Sequence, residues 1–391
     1  MASLERAGTS ARAGVYSLQP GGYRAFLPKG LPPEGLDLDA RLQALLSRAD
    51  RELGRLDGVI GVIPDPDLFV LQFVRREAVL SSQIEGTHAS LVDVLEYEAL
   101  LHKGSATVDI AEIVNYVAAM NRGLGLLGTL PLSRRLICEV HGVLMRETRG
   151  GEPHKTPGEF RRSQNWIGGA SPATARFVPP PHDQVPDLFA DLERYLHDPA
   201  PVPPLIKAGV AHAQFETIHP VLDGNGRVGR LLITFWLVEQ GILRKPVLYP
   251  SLFFKRNRDE YVARLQAVRD EGDWEAWLAF FVDGVGQTAR EAADTVNAIL
   301  QLRERDRARI HEHVGRGSPN ALALLDVLLK QPIVSARFVE DALEVSQPTA
   351  SGLVRKLAEL DMLVELTGRK RDRVFAYRDY LALFPGAEDR D

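Results

Sequence analysis

From position 38 onward, the spacing of apolar residues divides this chain into helices. Leu42, Leu45 and Leu46 recur at helical spacing, Pro-Asp-Pro at 64–66 interrupts the run, and Leu68, Val70, Phe73 and Val74 resume it as far as Ile84. Steps of three and four place such residues on one face, so two helices with a breaker between them are predicted. Further helical stretches follow at about 91–101, 110–126 and 133–145, the last opened by Pro131 and capped by Ser133. Segment 151–181 loses this rhythm: Gly158, Gly168, Gly169 and four prolines from Pro172 to Pro181 surround the short apolar pieces Trp166-Ile167 and Phe177-Val178. That pattern predicts a hairpin or an ordered loop. Helical periodicity returns at about 185–196, 205–215 and 227–240, stops at Gly241, and resumes at 258–271 and 274–285. Residues 1–36 are rich in Gly and Pro and carry no clear period, which predicts an extended arm rather than a regular element.

Residues 289–313 form a charged stretch that reads as a single helix, and Gly315, Gly317 and Pro319 mark a boundary after it. Beyond the boundary, 321–329, 335–343 and 346–360 read as three short helices, and 362–366 with 374–377 as two strands joined through 367–373. Three helices and a two-stranded wing make a winged helix-turn-helix. The fold class expected is mainly α.

Composition narrows the picture. At 391 residues the chain exceeds one ordinary core and suggests two or three domains. With 45% hydrophobic and 25% charged residues and no apolar run near ~18 residues, it reads as a water-soluble protein that does not enter a membrane. The first thirty residues lack the apolar core of a signal peptide, and the single Cys138 excludes an internal disulfide, so a reducing, cytoplasmic location is expected. Cys138 lies among Leu136, Ile137 and Val140 and reads as a buried helical thiol. The net charge of −5 offers no global attraction to nucleic acid, so any such binding must come from a local patch.

The densest chemistry lies in the twelve residues from His219 to Arg230, His-Pro-Val-Leu-Asp-Gly-Asn-Gly-Arg-Val-Gly-Arg. They bring a base, an acid, a glycine-rich turn and two arginines ahead of an apolar run at 231–238, whose helix would point its N-terminus at an anion. Gly224, Gly226 and Gly229 also satisfy the G-x-G-x-x-G dinucleotide fingerprint. Context excludes that reading: the residues before it look helical, and no Asp or Glu occurs between Gln240 and Arg258 to hold a ribose. A Walker-A loop is excluded because no Lys-Ser or Lys-Thr follows the glycines.

The stretch His219-Pro-x-x-Asp-Gly-Asn-Gly-Arg-x-x-Arg closely resembles the signature of the Fic family, enzymes that transfer AMP. Ser81-Ser-Gln-Ile-Glu85-Gly86 is similar to the inhibitory helix N-terminal to the catalytic core in one Fic class, and 158–181 to the family's substrate-positioning flap. Val221 stands where the family usually has Phe. The resemblance covers roughly 35–285 and implies a helical core with a short β-hairpin flap. It also implies roles. His219 is the general base that deprotonates a target hydroxyl, a task suited to an imidazole with a reference pKa of ~6.5. Asp223 holds Mg²⁺ across the α- and β-phosphates of ATP. The backbone of Gly224, Asn225 and Gly226, with the Asn225 side chain, forms the anion hole, and Arg227 and Arg230 neutralise the leaving pyrophosphate. Val228 and Gly229 complete the nucleotide-binding stretch, and Asn257 falls where the family places a segment near the adenine.

In the resemblance Glu85, with Ser81 and Gly86 on the same helix, pairs with Arg230 and holds the enzyme off. The same glutamate supports removal of AMP in some relatives, so the direction of the reaction stays open. His141 and His212 lie on apolar helical faces and read as satisfied core histidines. The layout expected is an arm and helical region at 1–110 with the inhibitory helix at about 70–86, a core at 111–285, a linker helix at 286–318 and a winged helix at 319–391. Over 319–384 basic and acidic residues are equal, nine of each, while Arg369, Lys370, Arg371 and Arg373 cluster in the wing. Expected partners are a target protein hydroxyl, the chain itself, and DNA through the winged helix; the oligomeric state, a homodimer included, stays open. The alternative function is a DNA-associated regulator in which the Fic core serves as sensor.

Overall fold

Helices dominate the computed structural model, which describes residues 12–63, 65–100, 106–149, 151–368 and 372–384. The periodic stretches appear as α1 (Ala40–Gly61), α2 (Asp67–Ile84), α3 (Leu91–Ala99), α4 (Val108–Leu127), α5 (Arg134–Leu144), α6 (Val185–His197), α7 (Pro204–Ile218) and α8 (Asn225–Glu239). Ser133 caps α5 as expected, its Oγ accepting from the Leu136 N–H. After these come α9 (Ser251–Arg256), a single short element without a sequence forecast, then α10 (Arg258–Glu271) and α11 (Trp274–His313). The last joins two predicted helices into one of 40 residues. No proline separates them, and the buried stripe Val285, Ala289, Ala292, Val296, Ile299 runs through the expected gap without a break.

Residues 12–36, the described part of the expected arm, depart from that reading. Strands β1 (Gly14–Leu18) and β2 (Arg24–Pro28) pair antiparallel, Gly14 opposite Pro28 and Leu18 opposite Arg24. A Gln19–Tyr23 turn closes them, and Ala25 and Phe26 are buried on the inner face. Strands of five residues are too short for period-two patterning to emerge from a Gly/Pro-rich stretch.

The described chain forms two compact units, each assembled from separate stretches rather than from consecutive ones. One takes residues up to Gly54, Asn115–Leu243 and Pro250–Ala289. At its centre, α7 is buried from Leu205 to Ile218 and α8 from Arg227 to Leu237. Helices apolar on all sides occupy the middle of a core. Cys138 is half-buried on α5, more open than predicted, and burial raises its pKa, which favours the inert thiol.

The other unit takes Arg55–Val114, Arg244–Tyr249 and the residues from Arg290 onward. Its C-terminal part is α12 (Ser318–Lys330), β3 (Ile333–Ser335), α13 (Ala336–Leu343), α14 (Gln347–Glu359), β4 (Val364–Glu365) and β5 (Val374–Ala376). The sheet order β3-β5-β4, antiparallel throughout, adds one strand to the two expected. Within this unit α2, buried on nearly every side, packs on α12, and Phe73 lies 5.5 Å from Phe384 and 5.7 Å from Tyr249.

Candidate functional site

The stretch 219–230 forms the corner between α7 and α8. His219 ends α7 in the left-handed conformation (φ 51°, ψ 60°), and Gly224 opens α8 in the same region at φ 82°. A non-glycine residue held there stores strain that the surroundings must offset. They do so mainly through Arg161. Its side chain, 2% exposed, donates to the carbonyls of His219 (2.9 Å), Ser163 (3.2 Å), Pro180 and Ile218, while its N–H donates to the Pro220 carbonyl. Burial lowers its pKa to about 10, still well above neutrality, so the guanidinium stays charged. Arg269 completes this end of α7, donating to the Glu216 carbonyl and the Thr217 hydroxyl with its guanidinium 3.8 Å from the centre of the Phe177 ring. Two buried cations thus satisfy carbonyls that a helix C-terminus leaves unpaired.

The loop between the helices is closed by Asn225. Its Oδ1 accepts from the Val221 N–H at 3.0 Å and its Nδ2 donates to the Val221 carbonyl at 2.7 Å. The side chain is therefore engaged with its own loop, and what Asn225 offers an anion is its backbone N–H, a correction to the anion hole drawn from the sequence. Val221 itself is fully buried, and its carbonyl also accepts from Asn165 Nδ2 at 3.0 Å. The glycines of the corner are required by space. A Cβ on Gly224 would lie 2.8 Å from Met145 Sδ, and one on Gly229 would lie 2.3 Å from the Glu216 carboxylate.

Chemistry gathers around this corner. The His219 ring Nδ1 lies 4.0 Å from the Glu216 carboxylate. Asp223, with its side chain 41% exposed, faces Lys155 at 3.4 Å and Arg227 at 3.7 Å. Arg227 and Arg230 are both buried, at 4% and 1% exposure. Among the described residues no three metal-ligating side chains come together, and Asp223 presents a partly exposed carboxylate just ahead of α8.

The segment 151–181 lies against the corner, held by Arg161 and Asn165, while Gln164 donates to the Pro179 carbonyl within the segment. It is a minimal hairpin, with Ile167 and Phe177 exchanging both backbone hydrogen bonds across one bridge. Both core histidines are satisfied as expected. His212 Nδ1 donates to the Gly229 carbonyl at 2.9 Å and Nε2 accepts from the Tyr261 hydroxyl at 2.7 Å, with Phe254, Trp277 and Phe281 stacked around it. Burial lowers its pKa to about 3. His141, 1% exposed, takes the Gly158 N–H on Nδ1 and bonds the Asp223 carbonyl through Nε2, and burial lowers its pKa to about 4.

Not every expected residue joins this site. Asn257 ends α9, donates to the Phe253 carbonyl, and lines a cavity of about 390 Å³ with Arg41, Phe253, Glu260, Phe280 and Asp283, none of them in the 219–230 stretch. Glu85 is exposed at the end of α2, Gly86 follows at φ 97°, and Ser81 is buried; all three belong to the other unit. Arg369, Lys370 and Arg371 lie outside the described residues. Sequence reading gave no role to Lys155, Arg161 or Asn165. Arg161 and Asn165 fall in 158–181, which the resemblance named as a segment without naming their bonds.

In comparison with known proteins, the chain matches three family models and is similar to several proteins. Residues 43–125 match the Fic/DOC family N-terminal model, 131–237 the Fic/DOC family model and 322–376 an HTH DNA binding domain. Over 114 residues the chain is 36% identical to a probable protein adenylyltransferase of Aquifex aeolicus, covering 29% of this chain and 32% of that protein. Over 133 residues it is 33% identical to protein adenylyltransferase Fic of Drosophila melanogaster, covering 34% and 24%. The chain thus spans a third or less of the length of these curated relatives. A Fic family protein from Desulfovibrio desulfuricans G20 shares the fold, with a TM-score of 0.55 at 20% identity over 88% of this chain and 97% of the other. No described helix is long and apolar enough to cross a membrane.

Proposed function

From a chain that carries a Fic/DOC N-terminal region, a Fic/DOC domain and a helix-turn-helix domain, we propose a protein adenylyltransferase that moves AMP from ATP to a Ser, Thr or Tyr hydroxyl of a target protein. The observation that carries this reading is the corner at 219–230, which holds a histidine, a carboxylate, the N-terminus of α8 and two buried arginines within twelve residues. The target hydroxyl gives its proton to the His219 imidazole as its oxygen bonds the α-phosphorus. The bond from that phosphorus to the α,β-bridging oxygen breaks, and pyrophosphate leaves. The first N–H groups of α8, at Asn225 and Gly226, together with Gly224, face the phosphates, and Arg227 and Arg230 offset the charge that builds on the leaving group. Asp223 would hold Mg²⁺, which draws the phosphates into line and screens their charge. The hairpin at 158–181 would receive the target as an added strand, a mode that needs little side-chain identity. The single cysteine supports a reducing, cytoplasmic setting.

The resting enzyme is held off by Glu85 at the end of α2, which draws Arg230 away from the γ-phosphate. If only ~1% is competent at rest, release raises activity by as much as ~100-fold. The test uses α-labelled ATP and Mg²⁺ with the wild-type, Glu85→Gly and His219→Ala proteins. Self-labelling should rise in Glu85→Gly and vanish in His219→Ala; no label in Glu85→Gly, with or without cell lysate, would sink AMP transfer. Loss of preformed label from the wild type, and not from Glu85→Gly, would mark the reverse reaction. The helix-turn-helix match supports a second role as a DNA-associated regulator, with the Fic core as sensor.

A further inference from the structure

His141 touches two segments that the proposed reaction uses for different purposes. Gly158 donates its N–H to Nδ1 at 2.9 Å, so Nδ1 carries the lone pair, the proton sits on Nε2, and Nε2 donates to the Asp223 carbonyl at 3.1 Å. Gly158 opens the flap, and Asp223 begins the phosphate loop. The two lie 17 and 82 residues from His141 in sequence. We propose that His141 is a positioning residue that fixes the flap and the phosphate loop to each other through the two nitrogens of one ring. This rests on the adenylyltransferase reading only for what the two segments bind.

Two near-isosteric variants separate the two bonds in the full-length Glu85→Gly protein. The amide of His141→Asn reaches the place of Nδ1 and keeps an acceptor for Gly158. The amide of His141→Gln reaches the place of Nε2 and keeps a donor for Asp223. His141→Asn should weaken Mg·ATP binding, read by calorimetry, at least about tenfold while the Gly158 amide stays protected from hydrogen exchange. His141→Gln should show the reverse, with ATP affinity within about threefold of the parent and exchange over 158–168 at least about tenfold faster. Equal losses of both properties in both variants, or no change in either, would reduce His141 to packing and overturn the proposal. Nitrogen NMR of the unsubstituted protein checks the tautomer without a variant, and an Nδ1–H ring would also overturn it. A Glu85→Gly parent that binds no ATP would defeat the adenylyltransferase reading, while the exchange and NMR measurements still decide the positioning role.

The other unit carries a second and independent inference. Gln72 and Arg75 of α2 both donate to the carbonyl of Lys330, the last residue of α12, at 2.6 and 2.7 Å. Arg75 also bonds Gln331 Oε1 and the Glu98 carboxylate, while Gln331 donates to the Leu95 carbonyl and Ser335 to that of Ala99. These groups are mostly buried, so none is released to water at low cost. We infer that the winged helix is the regulatory input to Glu85: what moves α12 moves α2, and Glu85 lies ten residues beyond Arg75, about 15 Å along the helix. This rests on the inhibitory reading of Glu85. Arg75→Gln should raise self-labelling at least about tenfold over the wild type, add nothing in a Glu85→Gly background, and speed amide exchange across 67–85. A folded Arg75→Gln protein with wild-type labelling and wild-type exchange would overturn the inference. Faster exchange without added labelling, in a protein that Glu85→Gly does activate, would overturn it as well. A Glu85→Gly protein labelled no more than the wild type fails the inhibitory reading instead, and unchanged exchange across 67–85 would still overturn the link.

Discussion

At the scale of single residues, the corner at 219–230 depends on side chains that bond to main chain. Arg161 holds the His219 carbonyl and reaches three further carbonyls, so it fixes both the left-handed turn and the base of the flap. A lysine cannot present that fork of donors. Arg161→Lys should lower the rate of AMP transfer by about 100-fold through misplacement of His219, while ATP affinity changes far less. Single-turnover labelling at saturating ATP, set beside calorimetric binding, separates the two. This role was not legible in the sequence, because a carbonyl acceptor carries no residue identity. His219 and Asp223 were singled out as candidates, since the chemistry proposed for them depends on residue type and local spacing.

Among elements, the pairing of α7 with α8 decides where the candidate site sits, and His212 ties them by donating to the Gly229 carbonyl. Its folded pKa, about 3, lies below the ~6.5 of an unfolded histidine, so the unfolded chain takes up the proton first. The stability from this neutral ring is fully present above pH ~6.5 and is lost as pH falls toward 3. The loss is on the order of 2 kcal/mol by pH 5, and His141, with a folded pKa of about 4, adds to it in the same direction. Thermal unfolding followed from pH 7 to pH 4.5 should show a falling midpoint. His212→Gln should unfold earlier at pH 7 yet respond less to acid, and an equal acid response in both proteins would remove His212 as the cause. Element positions in the helical part were readable from periodicity. The β1–β2 hairpin and the continuity of α11 were not, the first because its strands are short and the second because a boundary was expected where the buried stripe continues.

For the molecule as a whole, the winged helix shares a unit with residues 55–114. Its second role rests on charge. The third helix, α14, exposes Gln347, Thr349, Arg355 and Lys356, and the adjacent groove is lined by Arg337, Arg355 and Arg373 as well as Glu340, Asp341 and Asp372. With the charges of the groove balanced, binding of duplex DNA should rest on the arginines of the wing and fall steeply with salt. Loss of Arg369 and Arg371 together should flatten the salt dependence by about two phosphate contacts. Binding unchanged by that double substitution, measured by anisotropy over a salt series, would remove the wing from DNA recognition.

By itself the sequence determined the helical class, the winged helix and the turn between α7 and α8 that carries the candidate residues, because helical period and turn residues are local properties of consecutive side chains. Tertiary structure alone decided that Asn225 closes its own loop, that Arg161 and His141 lace the flap to that loop, and that α2 is anchored on the end of α12. Hydrogen bonds to backbone leave no mark on the residue that receives them. An apolar face records that it is buried without recording what buries it, so partners far apart in the chain appear only when the fold brings them together.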